Sequence, residues 1–329
     1  PMVLTSLFAI GLGMAMLQVT ILPLMREAGG EKNYAFNQVL AQIIFGAASF
    51  ISPFVAIGLI ERVTSTHSDS LFFIRFLKNS VSDQLAWIAV YAVFTLVFLA
   101  LFLLILAIRF PKVKLREEEK TDSIQSYKTL LHRKLVFLYF LGIVAYVGTE
   151  QGLANWMGLF LLRYHGISPG GLGATTLAWF WGLMSIGCLL GLLLVKLIDS
   201  KLILRVFTLL SIVNLGIALF APAQAAIFAF AGCGFSISVL FSIIFALALN
   251  SVTSHHGAFS GILCTGIFGG ALIPLLIGWL GDRIGLRYAM FVMFITLGYI
   301  LSISYWARPL VKNITIEFKD LITPKKSVK

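Results

Sequence analysis

Of the fourteen acidic residues in the sequence, only Glu150 sits deep inside a long apolar stretch, 135–162. An ionisable group at that depth costs about 2.5–3.5 kcal/mol by insertion scales unless it faces a wet cavity or a partner. Two roles fit it. It can load and release a proton as a cavity opens to each side in turn, or it can hold a neighbouring helix through a hydrogen bond. Tyr146 lies one helical turn earlier; Gln151, Asn155 and Trp156 follow. Hydroxyl-rich solutes need that mixture, because amides and hydroxyls donate and accept while aromatic faces receive C–H groups. The bland reading makes Gln151 and Asn155 interhelical glue and Trp156 an anchor at the membrane interface. Gln18 and Gln42, buried amides in two other stretches, stand equally between solute contact and glue. Trp179 and Trp181 stand between packing and solute contact.

The elements that position these residues follow from composition. Hydrophobic residues make up 59% of the 329 and charged ones 12%, and the mean hydropathy is +0.96. Soluble domains carry about 45–50% apolar and about 25% charged residues. The apolar residues group into nine stretches, 4–25, 35–60, 85–108, 135–162, 171–195, 202–221, 223–249, 257–280 and 287–307. Each is long enough to cross a hydrocarbon core about 30 Å thick. In lipid each must be a helix, since backbone polar groups there have to pair internally. The class is an all-α integral membrane protein.

The net charge of +11 does not form a nucleic-acid face, because the basic residues gather in particular loops. With 109–134 in the cytoplasm, nineteen of the 25 Lys and Arg residues lie inside and six outside, so the C-terminus is cytoplasmic. That orientation puts the start of the chain outside without an export signal, and the first residue is Pro1. Three spans precede the polar stretch 109–134 and six follow it. In transporters built from two six-helix repeats such a linker joins the halves, so three earlier spans are expected, twelve in the whole protein, and the 329 residues by themselves are expected not to transport. The stretch 61–84, with Arg75 and Lys78 among apolar residues, reads as an interfacial amphipathic segment or a solvated loop.

Cys188, Cys233 and Cys264 lie in three different spans without ligand spacing, so neither a disulfide framework nor a metal site is expected. No cofactor is expected, and no nucleotide-binding loop or H-E-x-x-H pattern is present, so the chain does not read as an enzyme or a primary pump. Gly187 with Gly191, and Gly266 with Gly270, have the small-xxx-small spacing that lets helices approach closely. Gly278 to Arg287 reads as an ion-paired helix connection on the outside. His255 and His256 read as a solvated pair, Asn313-Ile314-Thr315 as a chance glycosylation pattern, and the basic tail as an orientation signal and anionic-lipid contact.

In this architecture LFAIGLGMAMLQVTILPL and FNQVLAQIIFGAASFISP resemble the fourth and fifth helices of the fucose and glucose/galactose permease family of the major facilitator superfamily. YVGTEQGLANWMGLFL is similar to its seventh, and FSIIFALALN with FSGILCTGIFGGALIPLLIGWLGD to its tenth and eleventh. The resemblance implies the major facilitator fold, sugar symport driven by protons or sodium, and a solute site among these helices. Two positions depart from it. Gln18 stands where fucose-type members carry a proton-exchanging carboxylate, and Phe45 stands where a polar residue is expected.

Together these readings give the last three helices of an N-terminal half over 1–108, a cytoplasmic linker over 109–134, a C-terminal six-helix half over 135–307 and a basic cytoplasmic tail over 308–329. The expected activity is secondary active transport of a small polar solute, a sugar by resemblance, through alternating access in the inner (plasma) membrane, by a monomer. Glu150 would carry the proton, and Gln18, Gln42, Tyr146, Gln151, Asn155 and Trp156 would bind the solute. An uncoupled facilitator, a carrier of another solute class and a non-transporting sensor on the same fold are the alternatives.

Overall fold

The computed structural model describes residues 2–29, 34–65, 74–77, 85–108, 130, 132–252 and 256–309; the linker 109–129, His255 and the tail from 310 lie outside that set. The helices are α1 (Met2–Gly29), α2 (Tyr34–Thr64), α3 (Ile88–Ala107), α4 (Lys134–His165), α5 (Ala174–Leu197), α6 (Ser200–Phe220), α7 (Ala223–Ile237), α8 (Leu240–Leu249), α9 (His256–Thr265), α10 (Gly269–Ile284), α11 (Leu286–Ala289) and α12 (Val292–Trp306). Among the described residues eight helical stretches are long and apolar enough to cross a membrane, and α1 contributes a shorter apolar one, Met2–Met14. Together they match the nine expected stretches in place.

Two expected spans are interrupted. The span 223–249 breaks at Ser238 and Val239 between α7 and α8. A second break passes through a 3-10 turn, Gly266–Phe268, between α9 and α10. In each case a hydroxyl just before the break turns back onto the carbonyl three residues earlier: Ser238 to Phe235 at 2.7 Å and Thr265 to Ile262 at 2.6 Å. Such bonds compete with the helical ladder and bend it. Pro53 and Pro274, by contrast, sit inside α2 and α10 without ending them.

α4 is the axis of the bundle. Its 32 residues span about 48 Å at 1.5 Å each. Gly166 ends it with φ 66° in the left-handed region. There the Gly166 N–H donates to Leu162 and the Ile167 N–H to Leu161, a Schellman close that suits glycine at that place. At α6 the Asp199 carboxylate accepts the Lys201 N–H at 2.8 Å, satisfying one otherwise unpaired N–H of the first turn.

One core runs through α4 to α12, with Tyr139, Ile143, Leu153, Met157 and Phe160 of α4 inside it. Close approach is set by glycine. A Cβ on Gly269 would run into the Val144 carbonyl oxygen of α4, and one on Gly234 of α7 into the Phe180 carbonyl oxygen of α5. The glycine pairs read from spacing do the same: Gly187 and Gly191 face Ser238 and Val239, while Gly266 and Gly270 face Ile143 and Gln151. Between α4 and α12 the Thr149 and Thr296 hydroxyls meet at 2.6 Å.

α2 packs along α5, where Gly46 faces Ser185 and Gly182 faces the Phe50 ring. α3 is apolar and exposed on nearly every side, as a helix in hydrocarbon is. At the 61–84 connection Ile74 and Leu77 are buried with Val63, Ala86 and Ala89, leaving Arg75 and Phe76 exposed. The apolar side of that segment therefore packs on the ends of α2 and α3.

The Gly278–Arg287 connection differs from its expectation. Among the described residues its cations rest on rings, Arg283 over Trp279 at 4.5 Å and Arg287 over Tyr164 at 4.5 Å. Gly285 makes the turn with φ 87°, a conformation that side chains rarely adopt. Among the described residues no ion pair is formed at this connection, and cation–π contact with Tyr164 and Trp279 stands in its place.

Candidate functional site

Glu150 lies midway along α4 and is 8% exposed. Its carboxylate accepts from the Gln151 amide at 3.2 Å. Tyr146 lies one turn earlier on the same face of α4, and the Glu150 charge is felt at Cys188 of α5. Those neighbours tie Glu150 to the break between α7 and α8. The Cys188 thiol donates to the Ser238 carbonyl at 3.4 Å, on the α7 side. On the α8 side the Tyr146 ring lies 5.6 Å from that of Phe241. A carboxyl placed there is hydrogen-bonded and buried among apolar neighbours, the kind of intramembrane ionisable group that transporters use for ions.

The predicted solute residues divide into three groups. Tyr146 is buried one turn before Glu150. Gln151 is half-buried, its stem against Gly270 and its amide on Glu150, and Asn155 is exposed one turn further along, so Asn155 offers its amide to an open side of α4. Trp156 turns the other way: its indole N–H donates to the Pro274 carbonyl at 3.0 Å and its ring covers Gly278. Gln18 and Gln42 belong to α1 and α2, but their side chains lie outside the described residues.

An aromatic wall stands where α2 meets α5. Phe45, 48% exposed, packs its edge against Trp181 at 5.7 Å, and Phe50 does the same with Trp179 at 5.5 Å. Trp181 is buried and Trp179 exposed. The expected polar position at Phe45 is thus filled by a ring that partners another ring.

The bend at Ser238 within the span 223–249 has no counterpart among the sequence expectations. The available signal was local: Ser236 and Ser238 follow Gly232 and Gly234 within a few residues, and both hydroxyls bond back three residues. Cys188, Cys233 and Cys264 are all free thiols. Among the described residues no group of three or more His, Cys, Asp or Glu side chains converges as a metal would require.

A family model described as Major Facilitator Superfamily matches residues 1–273. A glucose/galactose transporter of Brucella abortus is 28% identical over 305 residues, covering 90% of this chain and 69% of the relative. Among solved structures, the Escherichia coli fucose:proton symporter superposes with a TM-score of 0.64 at 19% identity, over 85% of this chain and 70% of that one. A bacterial homologue of the human lysosomal transporter Spinster, inward-facing and unoccupied, superposes with a TM-score of 0.57 at 15% identity, over 86% of this chain and 71% of that one. These two likenesses concern the fold. With more than half of its length matched by the family model, this multi-pass helical membrane protein belongs to the Major Facilitator Superfamily.

Proposed function

We propose that the protein is a secondary transporter of a sugar, moved by alternating access and coupled to protons through Glu150. The observation that carries the reading is the placement of Glu150: a carboxylate buried midway along a membrane-spanning helix, accepting from Gln151, with Tyr146 one turn earlier on the same side. The name of the Brucella relative supports the solute class, and the exposed amide of Asn155, with Gln151 one turn before it, supplies a group suited to hydroxyls. In this reading Gln18 and Gln42 face the solute from α1 and α2. Trp156 and Tyr146 support the site by fixing α4 against α10 and α8.

The remaining assignments belong to the same reading. Residues 1–108 contribute to one half, 109–134 form a cytoplasmic linker, 135–307 the other half, and 308–329 a cytoplasmic tail in the plasma (inner) membrane. The protein works as a monomer among lipids, with sodium as the alternative coupling ion. Gln18, which cannot titrate, favours a second reading in which flux is uncoupled.

Uptake of glucose and galactose into vesicles carrying the natural full-length protein tests both. An imposed proton gradient should drive accumulation above the external concentration. Glu150→Gln, nearly isosteric, should lower the accumulation ratio to unity while leaving exchange of internal for external sugar intact. Gradient-driven accumulation that survives in Glu150→Gln would remove Glu150 from coupling. Sugar flux in the unaltered protein that ignores the gradient would select the facilitator.

A further inference from the structure

The outer surface of α6 carries one unbroken apolar stripe. Leu202, Val206, Leu209, Val213, Ile217 and Phe220 are all exposed, and their spacing puts them on one helical face along the whole length of the helix. In a membrane-spanning bundle that face meets acyl chains. Arg205 stands beside its first turn, where α6 meets the end of α12.

Arg205 is held in place by neutral groups. Its guanidinium carbon lies 4.3 Å from the centre of the Tyr305 ring, and its Nε donates to the Ser304 hydroxyl at 3.5 Å. Ser304 is buried and donates in turn to the Leu301 carbonyl, while Tyr305 is 62% exposed. Lys201 lies one turn earlier on the same face of α6. Among the described residues no carboxylate forms an ion pair with Arg205. The neighbouring Asp199 carboxylate accepts the Lys201 backbone N–H. A rigid planar cation whose terminal nitrogens have no hydrogen-bond partner among the described residues, a second cation one turn away and an amphipathic ring at the same level make a receptor for a phosphate diester. The apolar stripe below them adds a track for the attached chains.

We propose that the groove between the start of α6 and the end of α12 binds the headgroup of an anionic phospholipid. Arg205 and Lys201 engage the phosphate, Tyr305 sits at headgroup level, and the acyl chains run along Leu202, Val206 and Leu209. The nineteen-to-six distribution of basic residues puts this end on the cytoplasmic side, where anionic lipid concentrates.

The test uses the natural full-length protein purified with mixed phosphatidylglycerol and phosphatidylcholine, with retained lipid counted by native mass spectrometry. Each engaged cation should favour phosphatidylglycerol by about fivefold, equivalent to about 1 kcal/mol. Arg205→Gln combined with Lys201→Gln should bring the two lipids to parity, and Arg205→Lys should restore part of the preference. Glutamine can still meet Ser304, so the thermal midpoint in phosphatidylcholine alone should not move, which separates lost binding from lost folding. Equal retention of both lipids by the unaltered protein would overturn the assignment, as would an undiminished preference in the double variant. Displacement of the lipid by inorganic phosphate would overturn it in favour of a free-anion site.

Discussion

Gly269→Ala tests whether backbone contact between α4 and α10 holds the bundle. The added methyl would strike the Val144 carbonyl oxygen and lie 2.7 and 2.8 Å from the Val144 Cα and carbonyl carbon. Carbon atoms rest at about 3.5–4.0 Å, and backbone atoms of α4 cannot rotate aside as a side chain could. The helices therefore have to part by about 1 Å at this level, a gap that forfeits about a quarter to a half of each dispersion contact it opens. The contacts at risk run along the interface: Gly148 on Ile273, Gly152 on Ile277 and Trp156 on Gly278. Overpacking of this kind costs about 2–3 kcal/mol, and the better helix propensity of alanine offsets up to about 1 kcal/mol. With an unfolding entropy of about 2.1 cal/mol/K per residue over 329 residues, the net loss of about 1–2 kcal/mol corresponds to a thermal midpoint about 1.5–3 °C lower. The buried thiols of Cys188 and Cys233 report unfolding as they become reactive to a fluorogenic maleimide. Gly298→Ala is the control, since no atom lies within 4 Å of its Cβ position. It should match the unaltered protein or exceed it. A Gly269→Ala protein that unfolds at or above the unaltered temperature would refute the close-contact argument.

Thr149 and Thr296 share a hydrogen bond at 2.6 Å, yet each hydroxyl also reaches a carbonyl of its own helix. A double-mutant cycle with valine at both positions should give a coupling of about 0.6 kcal/mol and no more than about 1.7; no measurable coupling would make the contact incidental. Asn155→Ala and Trp156→Phe should separate binding from support. The exposed amide can be lost without change in thermal midpoint while KM for sugar rises. The indole, whose N–H bonds Pro274, should lower the midpoint at nearly constant KM. The reverse pattern would exchange the two roles.

The spans were legible because lipid enforces them: long charge-poor stretches have no other stable backbone. Glycine pairs such as Gly187 with Gly191 were legible because helical spacing fixes which residues share a face. The breaks at Ser238 and Gly266 were not. The residues with the strongest name for breaking helices, Pro53 and Pro274, lie within continuous helix, whereas the interruptions follow hydroxyls that bond back to their own chain. A hydroxyl declares that choice only once tertiary packing has decided it, and Thr149 and Thr208 bond back one full turn within unbroken helices.

The residues around Glu150 were found by type but grouped by nearness in sequence. A helix advances about 100° per residue, which puts Glu150 about 40° from Tyr146, Asn155 on the opposite side and Trp156 about 80° the other way. The neighbours confirm that division: Tyr146 and Glu150 meet α5 and α8, Trp156 meets α10, and Asn155 is exposed. Under the proposed function the proton carrier and the exposed Asn155 amide therefore occupy different sides of α4, with Gln151 between them. A carboxyl in that position acts on a solute through the elements it touches, and two of its neighbours, Cys188 and Tyr146, bear on the two ends of the α7–α8 break. Under that reading, loss of charge at Glu150 removes the proton carrier while the Asn155 amide stays in place. That is why Glu150→Gln is expected to uncouple transport while leaving sugar exchange in place.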